Sequence, residues 1–341
     1  MPRTTLLREW IDAQFAPKFP GQTVALAPAS ADASFRRYFR ATLPDGGTRI
    51  VMDAPPEHED CRPFLKVAAL LHDAGVHVPE VHAENLAHGF LLLSDLGHTT
   101  YLAALNADTA CAPTLYREAN RALVALQQAS RPGVLPEYDR ALLARELALF
   151  PDWYVARHLG IELTAAERAD LDAVFERLLA NNLAQPQVFV HRDYHSRNLM
   201  VSGDAFPATP GILDFQDAVY GPITYDLVSL YRDAYIDWPE AQELDFVIRY
   251  WELARTAGLP VSPDFDAFYR DYEWMGAQRQ LKVLGIFARL CHRDGKTGYV
   301  NDMPRVMAYL RRTAARYADL APLARLLARL DDAPAQAAYS F

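Results

Sequence analysis

The residues best suited to do chemistry are His191-Arg192-Asp193-Tyr194-His195-Ser196-Arg197-Asn198 and, shortly beyond, Asp214-Phe215-Gln216. An Asp, an Asn five residues on and a second Asp are the parts a phosphoryl-transfer site needs. Asp193 can accept a proton from an attacking hydroxyl, or orient it. Asn198 and Asp214 offer hard oxygen donors suited to Mg²⁺, which keeps several waters and takes few protein ligands. The pattern therefore predicts ATP and Mg²⁺ as cofactors. His195 either donates to the transferring phosphoryl group or shapes the loop. His191 is expected to hold the loop through backbone contacts. Arg197 and Asp217 are candidate substrate contacts; Asp217 is also a candidate for the metal, and its alternative is ordering a turn. Without chemistry, the same segment reads as a polar loop with Asp193 and Asn198 capping turns.

The flanks say how these groups are positioned. Gln187-Val188-Phe189-Val190, Leu199-Met200-Val201 and Gly211-Ile212-Leu213 read as short strands, so both acids sit at strand ends that can aim them. Upstream, a helix is expected over 4–15, strands over 24–28, 38–43 and 48–53 with a turn at Asp45-Gly46-Gly47, a helix over 63–73, and strands over 78–82 and 90–93. Ser94-Asp95-Leu96-Gly97 then marks a hinge whose backbone can pair with the adenine edge. Beyond Thr99 helices dominate, over 116–130, 140–159, 164–182, 225–235, 239–257, 264–291 and 304–330. The expectation is an α+β, bilobal, protein-kinase-like fold: a nucleotide-binding lobe in residues 1–95, a hinge near 94–97, and a helical lobe in 98–341.

Composition bounds the function. The chain has 341 residues, 51% hydrophobic, enough for a large core, and a net charge of −9 without a lysine-rich block. A general nucleic-acid surface is not expected. Cys61, Cys111 and Cys291 lie too far apart for a disulfide framework or a zinc site. Neither a signal-type apolar run nor a bilayer-spanning stretch is visible, so the expectation is a cytoplasmic protein without a membrane partner.

From Trp274 to Lys296 the basic residues Arg279, Lys282, Arg289, Arg293 and Lys296 face a single acid, Asp294. Spacings of three, seven and four put the first four on one helix face. This is either an anion-binding surface for the acceptor, suited to a sugar carboxylate and ill suited to a polycation, or a solvated face. Tyr220, Tyr225, Tyr231, Tyr235 and Trp238 either stack on a sugar ring or fill the core.

His191, Asp193, Asn198, Asp214, Gly221-Pro222 and Asp226 resemble the aminoglycoside phosphotransferase-like kinase superfamily across nearly the whole chain. Ala33-Ser34-Phe35-Arg36-Arg37-Tyr38-Phe39-Arg40, Met52-Asp53-Ala54-Pro55-Pro56 and Gln278-Arg279-Gln280-Leu281-Lys282-Val283-Leu284-Gly285 are more specifically similar to the bacterial anomeric sugar kinases of cell-wall recycling. That resemblance implies ATP-dependent phosphorylation of N-acetylmuramate or N-acetylglucosamine to the sugar 1-phosphate; other hydroxyl kinases of the superfamily and a nucleotide-binding scaffold are the alternatives. Such kinases carry a small-lobe Lys–Glu pair, whereas here Met52 and Phe64 fall at those positions. Ser34 and backbone amides are then expected to cover the phosphates. Arg36, Arg37 and Arg40, with Lys66 as a weaker candidate, either replace the lost cation or remain solvated. Asp226, at a helix start, is expected to be structural.

Overall fold

The short strand segments between Val24 and Ser94 form one antiparallel sheet. In the computed structural model, which describes residues 2–31, 35–201 and 210–332, α1 (Arg3–Phe15) precedes β1 (Ala25–Ala31), β2 (Arg37–Thr42) and β3 (Thr48–Asp53). Then follow α2 (Arg62–Asp73), β4 (Val81–Asn85) and β5 (Phe90–Ser94), in sheet order β1-β2-β3-β5-β4. The predicted turn is present: Gly46 takes a φ of 84° that an L side chain resists, and Gly47 N–H donates to Asp45 Oδ1 at 3.0 Å. β4 begins three residues later than expected, after Pro79, which has no N–H to give a ladder. Leu7 and Ile11 of α1 pack with Phe19, Val24, Ala41, Leu43, Val51, Phe90 and Leu92 to form a core. Phe64 is buried against Phe215 with ring centroids 4.8 Å apart, and Met52 is buried, so the two side chains expected in place of a Lys–Glu pair both pack as apolar core.

The remaining chain is mainly helical. It runs through α3 (Tyr101–Ala107), α4 (Ala112–Gln128), α5 (Arg140–Leu149), α6 (Ala165–Ala184) and β6 (Gln187–Val190). After β7 (Leu199–Met200) and β8 (Gly211–Ile212) come β9 (Val219–Pro222), α7 (Tyr225–Tyr231), α8 (Glu240–Thr256), α9 (Phe265–Asp294), α10 (Met303–Arg316) and α11 (Ala321–Asp332). Residues 1–100 with 199–217 form one compact unit, and 101–198 with 218–341 the other.

Three expectations need correction. The helix expected over 140–159 is α-helical only to Leu149; Phe150–His158 is π-helical, where Pro151 cannot donate to the α ladder. The helix expected over 304–330 is two helices, because the backbone extends at Tyr317 and Pro322 begins a new helix rather than continuing one. β9 was not expected: its Gly-Pro ending disguises a strand that pairs Val219 with Val190 and Pro222 with Gln187.

Long-range order in the second unit depends on α9, whose 30 residues pack against α5, the π-helix, α7 and α10. At Gly285 a Cβ would collide with the Leu149 backbone, so only glycine permits that approach. Gln278 Nε2 donates to Leu143 O at 3.0 Å. Arg232, fully buried, donates to Glu243 of α8 at 2.6 Å, Glu273 of α9 at 2.8 Å and Thr313 of α10 at 2.8 Å, joining three helices through one satisfied charge. Among the described residues, no helix is long and apolar enough to cross a membrane.

Candidate active site

In the second unit, loop 191–198 leaves β6 and is held by two buried carboxylates. Asp226, in the first turn of α7, accepts the N–H of His191 at 2.7 Å and that of Arg192 at 2.9 Å. It is structural as expected, but acts through these bonds as well as at the helix start. Asp233 accepts the Ser196 N–H at 3.0 Å, the Ser196 hydroxyl, and the Tyr235 N–H at 3.0 Å. Inside the loop, His191 Nδ1 accepts the Asp193 N–H at 3.2 Å, the backbone contact expected of it, and the Asn198 amide nitrogen donates to Asp193 O at 3.0 Å. That bond fixes Asn198 so that its oxygen, the harder donor, is the other end of the amide. Tyr194, fully buried, ties the loop to α4 through Ala119 O at 2.8 Å.

Among the described residues only two that are not glycine have positive φ: Arg192 at 77° and Asp214 at 63°. Each lies in one of the two motif segments. Such conformations cost about 1–3 kcal/mol and persist where surroundings over-determine them.

Electrostatics around Asp193 are set by the same unit. Burial raises its carboxyl, but Lys282, His195, Arg279 and His191 outweigh it and bring the pKa below the ordinary aspartate value. Asp193 is therefore an anion at neutral pH. Burial dominates at His195, pushing its pKa down despite Asp233 and Asp193, so the imidazole is neutral at pH 7. Its ring lies edge-on to Tyr235 at 5.5 Å, and Arg197 stacks over the same tyrosine at 3.5 Å. Burial pushes Asp226 up to about 7, with the nearby Asp193 charge adding to it and the two N–H donors and Arg279 opposing.

The basic residues of α9 divide. Arg279 and Lys282 are buried, at 5% and 7% exposure, so the solvated-face reading does not apply to them. Lys282 Nζ lies 3.0 Å from Glu146 Oε1 and donates to Tyr225 OH at 2.8 Å. Arg279 Nε is buried without a hydrogen-bond partner among the described residues. Arg289 is half-buried, and burial with Arg293 nearby lowers its pKa; Arg293 is exposed and pairs with Asp294. Tyr225, Tyr231 and Trp238 belong to the core, whereas Tyr220 and Tyr235 are half-buried.

In the first unit, β7 and β8 pair antiparallel and lead to Asp214, whose Oδ1 accepts from Gln216 Nε2 at 2.9 Å. Asp217 is exposed, and the same Gln216 nitrogen lies 3.5 Å from its Oδ2. Ser94 ends β5, and its hydroxyl accepts the Glu80 N–H at 2.8 Å. Asp95 accepts from Arg40 at 2.6 and 3.0 Å and from Gly97 N–H at 3.0 Å. The Leu96 side chain packs where a Cβ on Gly211 would intrude. Arg37 Nε donates to Asp53 at 3.0 Å, and Arg36 Nε lies 3.6 Å from Glu59. Lys66 is exposed on α2. Ser34 lies outside the described residues.

Sequence reasoning missed Glu146, Tyr194 and Asp233. Glu146 and Asp233 lie some 40 residues from the loop on either side, and nothing in their local spacing announces them. Among the described residues there is no cluster of three or more His, Cys, Asp or Glu placed to hold a metal.

Comparison with known proteins defines the class. The model of the phosphotransferase enzyme family matches residues 25–259, and the chain belongs to that family. It is 54% identical over 307 residues to the N-acetylmuramate/N-acetylglucosamine kinase of Pseudomonas aeruginosa, covering 89% of this chain and 88% of that protein. It is 52% identical over 333 residues to the N-acetylmuramate/N-acetylglucosamine kinase of Neisseria meningitidis, covering 97% and 96%. Among solved structures, choline kinase LicA from Streptococcus pneumoniae superposes with a TM-score of 0.62 at 14% identity, over 92% of this chain and all of that one. The expected α+β, kinase-like fold is thus the observed one.

Proposed function

We propose that this protein is an ATP- and Mg²⁺-dependent sugar kinase that phosphorylates the anomeric hydroxyl of N-acetylmuramate and N-acetylglucosamine, giving the sugar 1-phosphate in cytoplasmic peptidoglycan recycling. The observation that carries this reading is the 52% identity to a kinase named for both sugars, sustained over 97% of the chain. Asp193, ionised and held at a fixed loop position, orients the anomeric hydroxyl and takes its proton late in the transfer. His195, neutral, donates to the phosphoryl group. Asn198, whose amide nitrogen donates to Asp193 O, and Asp214, a carboxylate just beyond the end of β8, are each of the oxygen-donor type that a hard divalent cation takes. When bound, Mg²⁺ neutralises phosphate charge. Nucleotide recognition is assigned to residues 1–97, with Ser94, Asp95 and Leu96 at the adenine and Ser34, Arg36 and Arg37 at the phosphates. There Arg36 and Arg37 exchange Glu59 and Asp53 for phosphate oxygens.

The acceptor is assigned to residues 98–341. Arg279, a buried cation without a hydrogen bond at Nε, takes the N-acetylmuramate carboxylate. Arg197 and Arg289 extend the positive field, Lys282 supports it from within, and Asp217 contacts the sugar. A polycationic acceptor would meet like charge there. A coupled ATP-consumption assay with N-acetylmuramate, N-acetylglucosamine, kanamycin and choline tests the reading. Turnover with the two sugars is expected; turnover with only an amine acceptor would refute it.

A further inference from the structure

Glu146 sits on the inner face of α5, 5% exposed, and no motif includes it. Its Oε1 accepts from Arg192 Nη2 at 2.7 Å and lies 3.0 Å from Lys282 Nζ, and its Oε2 accepts from the Tyr138 hydroxyl. Arg192 immediately precedes Asp193 and holds the left-handed φ of 77°. Its backbone N–H is already bound by Asp226. The loop is therefore gripped twice at one strained residue: by the main chain through Asp226 and by the side chain through Glu146. Tyr138 closes the arrangement, its ring 5.5 Å from the Arg192 guanidinium and its hydroxyl on Glu146. Lys282 lies 5.4 Å from the Tyr225 ring and donates to its hydroxyl. Two cations, Arg192 and Lys282, thus converge on one carboxylate, and Lys282 also acts electrostatically on Asp193.

We propose that Glu146 is a positioning residue for phosphoryl transfer: through Arg192 it locks the left-handed turn that aims the Asp193 carboxylate. The proposal rests on the reading of Asp193 as the group that meets the acceptor hydroxyl. The chemistry explains why a carboxylate is used and not an apolar contact. A guanidinium held by a charged acceptor has a defined direction, and a strained φ survives only where such bonds fix it. Burial alone would raise the Glu146 carboxyl; Lys282, Arg192 and Tyr138 outweigh it and keep the group ionised. The second cation also means that losing Glu146 frees Lys282 to compete for Asp193, drawing the carboxylate away from the acceptor.

The test compares the full-length enzyme with Glu146→Gln, Glu146→Asp, Arg192→Gly, the Glu146→Gln/Arg192→Gly double variant and Asp193→Asn. For each, kcat, KM for ATP, KM for N-acetylglucosamine and the thermal midpoint are measured. Glycine at 192 accepts the positive φ without strain, so that variant removes the side chain's bond to Glu146 and its contact with the Tyr138 ring while sparing the backbone turn. Glu146→Gln and Arg192→Gly should each lower kcat about 10- to 100-fold, the scale of a displacement near 1 Å, while both KM values change less than about 2-fold. The double variant should be no worse than the worse single one, because both act through one bond. Glu146→Asp, keeping the charge on a shorter arm, should fall between Gln and the parent. A purely structural Glu146 would lower the thermal midpoint and leave kcat within about 2-fold of the parent; that result, or losses that multiply in the double variant, overturns the proposal. If Glu146→Gln does not fold, Glu146→Asp and Arg192→Gly decide by the same kcat criterion. An Asp193→Asn enzyme with undiminished kcat refutes the reading of Asp193; an inactive Asp193→Asn beside a fully active Glu146→Gln refutes only the positioning role.

Discussion

In the first unit, water reaches Arg37, whose side chain is 46% exposed on the buried Asp53, whereas Arg40, 20% exposed on Asp95, is enclosed as closely as the pairs of the second unit. In the second unit, Arg232 is wholly buried between Glu243 and Glu273, and Arg192 and Lys282 share Glu146 at 20% and 9% side-chain exposure. A pair in contact with water can exchange its partner at small cost. A buried pair cannot, because the remaining charge has no water to turn to. The difference suits the division of labour proposed above. Arginines meant to receive a nucleotide must release their acids; charges that fix an acid–base group must not move.

Breaking the buried side should have the largest effect. Arg232→Ala takes one of two arginines from each of Glu243 and Glu273, which keep Arg312 and Arg316, and empties a buried site; chemical denaturation is expected to show a loss of about 3 kcal/mol. Asp193→Ala is expected to lower kcat by at least about 100-fold while calorimetry still detects ATP binding. Asp226 gives a pH signature. Its folded pKa of about 7 lies above the ordinary aspartate value near 4. It therefore contributes stability that is full below about pH 4 and is lost as pH rises through 7, at no more than about 1.4 kcal/mol per pH unit. Thermal midpoints measured from pH 4 to 8 should decline along this window in the parent and flatten in Asp226→Asn. Arg279→Ala should raise KM about 10-fold for N-acetylmuramate and little for N-acetylglucosamine, as expected for loss of a charged hydrogen bond; equal changes would remove the carboxylate assignment. Arg37→Ala should cost about 1 kcal/mol or less in denaturation, since Arg37 is part-exposed and the buried Asp53 keeps Arg3 at 2.7 Å.

What could be read from the chain follows the range of the forces involved. Turn chemistry at Asp45-Gly46-Gly47, the short apolar runs of β3 and β5, and helical spacing in α2, α6 and α8 are local, and the elements fall within a few residues of expectation. The shift of Phe150–His158 to a π-helix had a local signal, Pro151 in the interior of the helix expected over 140–159, where proline cannot donate to the α ladder. The motif Gln278–Gly285 was recognisable, but its reason was not. Gln278, Lys282 and Gly285 line one face of α9 and meet Leu143, Glu146 and Leu149 of α5 at matching spacing. That correspondence depends on two segments some 135 residues apart. A separation of some 40 residues from the loop likewise concealed Glu146 and Asp233, whereas the expectation at Asp193, Asn198 and Asp214 came from local spacing and strand flanks.

The most direct test of the central claim is ³¹P NMR of the product formed from ATP, Mg²⁺ and either amino sugar. The account predicts a single new resonance coupled to the anomeric proton, produced by the parent enzyme and absent with Asp193→Ala. Phosphate on any other hydroxyl, or no phosphorylated sugar with either acceptor, would contradict it.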